Sequence, residues 1–126
     1  MTTSLNHIAL QYQNKRNAEI FFSDILGIPK TRSFTVSADL SKEIFGITKN
    51  VDVDVFDNGI IRFEIFYMVD IHHSSFSHIC IEVESKEKFI QTCKKYKLNP
   101  YIVIKGEKKL LFAKDFSNNL YEIKNK

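Results

Sequence analysis

The chain repeats itself, and that repeat constrains its architecture more than any other feature. His7-Ile8-Ala9-Leu10 matches His78-Ile79-Cys80-Ile81 at an offset of 71 residues, and Phe63-Glu64-Ile65 matches Tyr121-Glu122-Ile123 at an offset of 58. The two offsets differ by 13, and the stretch from Ala38 to Asn50, which has no counterpart in the second half, is 13 residues long. With that stretch set aside the halves align without a remainder. A chain of 126 residues is then expected to be one domain, 1–126, built as module 1 over about 5–69 and module 2 over about 76–124.

Apolar periodicity assigns the same element order to both halves: strand, helix, strand, strand, strand. Leu5 to Gln11 reads as a strand, with Ile8, Leu10 and Tyr12 on one face and His7, Ala9 and Gln11 on the other. Asn14 is a helix N-cap, and Ala18, Phe21, Phe22, Ile25 and Leu26 form one helical stripe ending at Gly27 and Pro29. Thr31 to Ser37 is strand-like, and Ser41 to Gly46 is a short helix with Leu40, Ile44, Phe45 and Ile47 as its apolar contacts. Val51 to Val55 alternates as a half-buried strand, Asp57-Asn58-Gly59 turns, and Ile60 to Met68 returns with Phe63, Ile65 and Tyr67 opposite Arg62, Glu64 and Phe66.

Asp70 to Ser75 is polar and is the candidate linker, so its His72 and His73 read as solvated loop residues. Phe76 to Glu84 begins the second set as a strand, and Ser85 caps a helix to about Lys97 with Phe89, Ile90, Cys93 and Tyr96 inward. Tyr101 to Ile104, Lys109 to Lys114 and Asn119 to Lys124 complete it, with turns at Gly106 and at Phe116-Ser117-Asn118.

Composition closes off several classes of function. Eighteen basic against 15 acidic residues give a net charge of +3, and the lysine runs are short, so no nucleic-acid partner is expected. Apolar runs are too short to cross a bilayer, and no secretory leader is expected. Two cysteines, Cys80 and Cys93, make neither a disulfide framework nor a cysteine zinc site, and a cytoplasmic location is expected.

The repeat leaves one histidine on the first strand and one glutamate on the last strand of each module. His7, Glu64, His78 and Glu122 all lie opposite the face that packs on a helix. Taken singly, the histidines read as ordinary strand residues and the glutamates as exposed ones. Taken as a repeated set they read as metal ligands, because a carboxylate between apolar neighbours is costly to bury without a partner. Two imidazoles and two carboxylates suit Zn, Ni, Co, Mn or Fe(II) without choosing among them. Four protein ligands on a six-coordinate ion leave two adjacent positions for neighbouring substrate oxygens. Phe66 shares the face of Glu64, Cys80 that of His78, and both join Tyr101 and Arg62 as candidate substrate contacts; Arg16, Arg32 and Lys114 are further cations that an anionic substrate could meet.

These motifs resemble the vicinal oxygen chelate superfamily, which includes glyoxalase I, methylmalonyl-CoA epimerase, extradiol dioxygenases and the fosfomycin- and bleomycin-resistance proteins. His7-Ile8-Ala9-Leu10 with Ala18-Glu19-Ile20-Phe21-Phe22 and Leu26-Gly27-Ile28 is similar to the opening strand and helix of that family. Phe76-Ser77-His78-Ile79-Cys80 is similar to the start of its second module, and Phe112 to Ile123 to its closing Asp-Pro-x-Gly-Asn turn and metal glutamate. Here the turn reads Asp115-Phe116-Ser117-Asn118, without the proline and glycine, and no glutathione-binding set can be assigned.

The resemblance implies an α+β fold: two βαβββ modules in tandem, forming a curved eight-stranded mixed sheet with helices on the outer face. It implies one divalent metal ion on His7, Glu64, His78 and Glu122, a pattern closer to glyoxalase I and the epimerase than to the dioxygenases. It further implies a homodimer and a metal-dependent isomerase or lyase that chelates vicinal oxygens of a small molecule, with Glu122 or Glu64 as general base. A non-catalytic antibiotic-binding protein, a thiol transferase and an iron dioxygenase are the alternatives on the same scaffold.

Overall fold

The structure is a computed structural model that describes residue 2, residues 4–71 and residues 77–126. His72, His73 and the start of the expected strand at Phe76 lie outside the described residues. The chain divides into two compact units, Met1–Ile71 and His72–Lys126, so the boundary falls at the expected linker.

The first unit runs β1 (Ile8–Tyr12), α1 (Lys15–Ala18) continued by a π-wound turn (Glu19–Ile25), β2 (Lys30–Val36), α2 (Ala38–Phe45), β3 (Val51–Asp57) and β4 (Arg62–Tyr67). Its four strands are ordered β1-β4-β3-β2, with β1 parallel to β4 and the other pairs antiparallel. The second unit runs β5 (Ile79–Val83), α3 (Lys86–Lys95), β6 (Tyr101–Lys105), β7 (Lys108–Lys114) and β8 (Leu120–Asn125), in the order β5-β8-β7-β6. The eight expected strands are thus present in an α+β fold, divided between two four-stranded mixed sheets.

Register tests the repeat directly. Ile8 pairs with Phe63 in the first unit and Ile79 with Tyr121 in the second, the residues that the two offsets equate. The helix caps obey the same rule: the Asn14 side chain accepts from the Asn17 N–H, and the Ser85 side chain from the Lys88 N–H.

Phe22 organises the first core. Its ring lies 4.9 Å from Phe63, 5.2 Å from Phe56, 5.2 Å from Phe21 and 5.6 Å from Tyr12, so one helical side chain ties together three of the four strands. The expected α-helix holds only through Ala18, although Phe21 and Phe22 of its stripe are buried. From Glu19 the backbone widens, with the Leu26 N–H bonding the Phe21 carbonyl five residues back, and Ile25 and Leu26 are only half-buried. Gly27 then takes φ +73° and lets the Ile28 N–H close on the Phe22 carbonyl at 2.8 Å. In the second unit α3 packs on β8 and buries Phe89 and Cys93, with Leu111, Ala113, Tyr121 and Ile123 buried on the strands.

Two expectations need correction. Val51 to Val55 is not half-buried: Asp54 is buried along with Val53 and Val55, because Ser33 Oγ donates to one of its carboxylate oxygens at 2.6 Å and the Tyr67 hydroxyl to the other at 2.7 Å. The helix α2 is also turned the other way. Ser41 is fully buried, whereas Leu40, Ile44 and Phe45, expected as core contacts, are exposed. Among the described residues, no helix is long and apolar enough to cross a membrane.

These contacts give a clear ranking. Phe22→Ala removes the ring that four others touch and is expected to cost about 3–5 kcal/mol. Ile44→Ala, on the outward side of α2, should stay within about 0.5 kcal/mol. Urea unfolding of both variants checks the order.

Candidate functional site

The first unit brings His7 and Glu64 together. The parallel pairing sets Ala9 opposite Glu64, so His7, two residues earlier, shares the Glu64 face just beyond the end of β1. The His7 Nδ1 lies 3.5 Å from Glu64 Oε2 and 2.7 Å from Asn6 Oδ1. That short contact lets the Asn6 side chain orient the imidazole ring. Glu64 itself is largely covered, with only 15% of its side chain exposed, between the buried Phe63 and Ile65.

The second unit repeats the placement. Cys80 pairs with Glu122, and His78 stands two residues before Cys80, as His7 does before Ala9. Both His78 and Cys80 are exposed, and Glu122 is half-buried. Glu122 opens onto a groove of about 330 Å³ whose cationic lining is Lys86, Lys108, Lys109 and Lys124. Among the described residues no group of three or more His, Cys, Asp or Glu side chains gathers as a metal site. Each unit thus carries one of these imidazoles and one of these carboxylates on the same face of its sheet.

Register places the candidate substrate contacts in rows across each sheet. In the second unit Cys80, Glu122, Phe112 and Tyr101 are successive partners, and Tyr101 stacks on Phe112 at 5.9 Å. In the first unit Phe66 lies one row along from Glu64, on the same face, next to Val53. Arg62 also shares that face, but its Nε lies 3.3 Å from the carboxylate of Asp57, its cross-strand partner, so its charge is engaged at the hairpin. Arg16 pairs with Glu19, and Arg32 lies over the Phe34 ring at 5.0 Å.

What steadies each glutamate escaped the sequence reading. Next to Glu122, the Tyr121 hydroxyl donates to Asp115 at 2.8 Å, and Asp115 also accepts from the Ser117 and Asn119 backbone N–H groups and the Asn119 side chain. Burial pushes the Asp115 carboxyl above its usual range against the pull of these donors. Asn118 takes the left-handed position at φ 63°, which explains how the turn closes without glycine. In the first unit Asp54 holds Tyr67 in the same fashion, and burial with that hydrogen bond pushes the Tyr67 phenol well above its usual range. The usable sequence signal was an acid near the strand of the glutamate with a tyrosine on that strand.

No protein-family model matches the chain, and no curated protein matches it. Solved structures do. The genomically encoded fosfomycin resistance protein FosX from Listeria monocytogenes superposes with a TM-score of 0.74 at 14% identity, over 100% of this chain and 95% of that one. FosX from Mesorhizobium loti gives 0.70 at 13%, over 98% and 92%, and a glyoxalase family protein from Enterococcus faecalis gives 0.71 at 18%, over 95% of each. The chain therefore has the fold of the vicinal oxygen chelate superfamily, as its motifs suggested.

The two thiols provide a check on the second unit. Burial pushes the Cys93 thiol up to about 11, whereas Cys80 is exposed on the Glu122 row. At pH 8, a thiol reagent is expected to modify Cys80 rapidly in the folded protein and Cys93 only after denaturation. Mass mapping of the labelled peptides reads this out.

Proposed function

We propose that the protein is a metal-dependent enzyme of the glyoxalase type, acting on a small molecule that presents two neighbouring oxygens. The observation that carries this reading is the His7–Glu64 pair at 3.5 Å, with a second histidine and glutamate placed by the same register in the other unit. His7, Glu64, His78 and Glu122 furnish the ligand set, from one chain or from two copies in a homodimer. A divalent ion held there supplies Lewis acidity toward the substrate oxygens. A FosX variant complexed with Mn(II) and 1S,2S-dihydroxypropylphosphonic acid, 16% identical with a TM-score of 0.74 over 98% of this chain and 93% of that one, supports both the ion class and a ligand with adjacent oxygens.

The chain's own residues then carry the proton. Asn6 orients the His7 ring through Nδ1, and the Asp115 turn holds Tyr121 and, through it, the strand that bears Glu122. Either glutamate, Glu64 or Glu122, accepts a proton from the carbon beside the substrate oxygens and returns it to the adjacent position. Lys108 and Lys124 share the face of Glu122 and the groove it lines, which favours an anionic substrate and also supports a second reading, resistance to a phosphonate-type antibiotic.

Metal content of the purified protein tests the ligand set: about one divalent ion per set is expected, falling away in His7→Ala and Glu122→Gln. Proton exchange into α-hydroxy ketones in deuterium oxide tests the chemistry by NMR. Glu64→Gln and Glu122→Gln should slow it by about 10²-fold or more with little loss of stability. Full exchange in both variants overturns the mechanism, and no metal after dialysis against Mn, Ni, Zn and Fe(II) overturns the enzyme.

A further inference from the structure

The helix α2 belongs to the 13-residue stretch that the second half lacks, and it is built inside out. Ser41 is fully buried, and its hydroxyl has no hydrogen-bond partner. Leu40, Ile44 and Phe45 are 46%, 58% and 50% exposed. A helix added only to thicken the core would turn its apolar stripe inward.

One of these outward residues has a defined neighbour. The Phe45 ring lies 5.5 Å from that of Phe66, edge to face at 74°. Phe66 is on β4, two residues from Glu64 and on the same face, so its Cα is about 6.6–7 Å from that of Glu64. The row containing Phe66 continues through the buried Val53 to Phe34, whose ring lies under Arg32 at 5.0 Å, so apolar side chains stand in the row beside Glu64 on three strands. The second unit has no equivalent: the position matching Phe66 at the offset of 58 is Lys124, and nothing matches Phe45.

We infer that Phe66, Phe34 and Phe45 form an apolar subsite that receives an aryl or branched alkyl group of the substrate whose oxygens are held beside His7 and Glu64. This rests on the proposed function and adds a substrate class: an amphipathic molecule with its oxygen pair at one end and a compact apolar group one strand row away. Continuity with the His7–Glu64 pair selects this occupant, since apolar surface bordering a charged donor pair recognises a molecule with both kinds of group. The stretch carrying α2 then serves as the wall that gives one module its apolar preference.

Hydroxamates test the idea because they chelate divalent ions through two adjacent oxygens while the attached group is varied. Mn(II)-loaded protein is titrated calorimetrically with acetohydroxamate, benzohydroxamate and phenylacetohydroxamate. At least tenfold tighter binding of one of the two aryl compounds over acetohydroxamate is expected. Phe45→Ala should reduce that ratio at least threefold while leaving acetohydroxamate binding unchanged, and Phe66→Ala should reduce it at least as much. Phe45→Leu, which keeps an apolar side chain, guards against misfolding and should retain most of the ratio.

If all three compounds bind equally, or the variants keep the full ratio, the subsite is wrong and the metal reading survives. If the protein takes up no Mn(II), or no hydroxamate binds to the loaded form, both readings fall. If Phe45→Ala changes only the oligomeric state, seen by sedimentation, the outward face of α2 is a contact between copies and the subsite is overturned.

Discussion

Parallel pairing of each unit's first strand with its last is the constraint on which the rest of the structure depends. A parallel pair cannot be closed by a hairpin and needs a crossover, which the helix and the two intervening strands supply. The result is that His7 lies beside Glu64, 57 residues further on, and that Cys80, two residues after His78, pairs with Glu122. Register makes the arrangement strict. A slip of one residue in β4 or β8 would send the glutamate to the helix side and bring a buried aromatic to the other. In the first unit Phe22 guards against that slip, because its ring packs on Tyr12, Phe56 and Phe63 together.

Each unit also buries one aspartate close to the strand that carries its glutamate, and each binds it with a tyrosine hydroxyl. Asp54 takes Ser33 and Tyr67; Asp115 takes the turn backbone, Asn119 and Tyr121. A buried carboxylate without partners would cost several kcal/mol or give up its charge, so these donors are what make the positions tolerable. They also make the strand that bears the glutamate stiff.

The strands, caps and turns were legible because local chemistry dictates them. β-branched and aromatic runs, Asn14 and Ser85 before amphipathic stretches, and the Asp57-Asn58-Gly59 turn all carry their instructions within a few residues. The Asn58 side chain caps the Ile60 and Ile61 N–H groups, as a turn asparagine should. The face of each candidate ligand was legible too, since side chains alternate along a strand. What failed to show was anything depending on a distant partner. Asp54 looked like a solvent-facing residue because its partners come from β2 and β4. The π-wound stretch of the first helix is likewise not reported by the spacing of its apolar residues, which fits an α-helix.

The sequence by itself determined the repeat, the element order, the register of each glutamate against the start of its unit and the 13-residue stretch present in only one half. These follow from short-range propensity and from the exact period of two along a strand. Only the tertiary structure decided that α2 turns its apolar side outward, that Phe45 meets Phe66 beside Glu64, and that Arg62 is held by Asp57. An amphipathic pattern states that a helix has two faces. Which of them meets the sheet depends on a surface that exists only once residues far apart in the chain have come together.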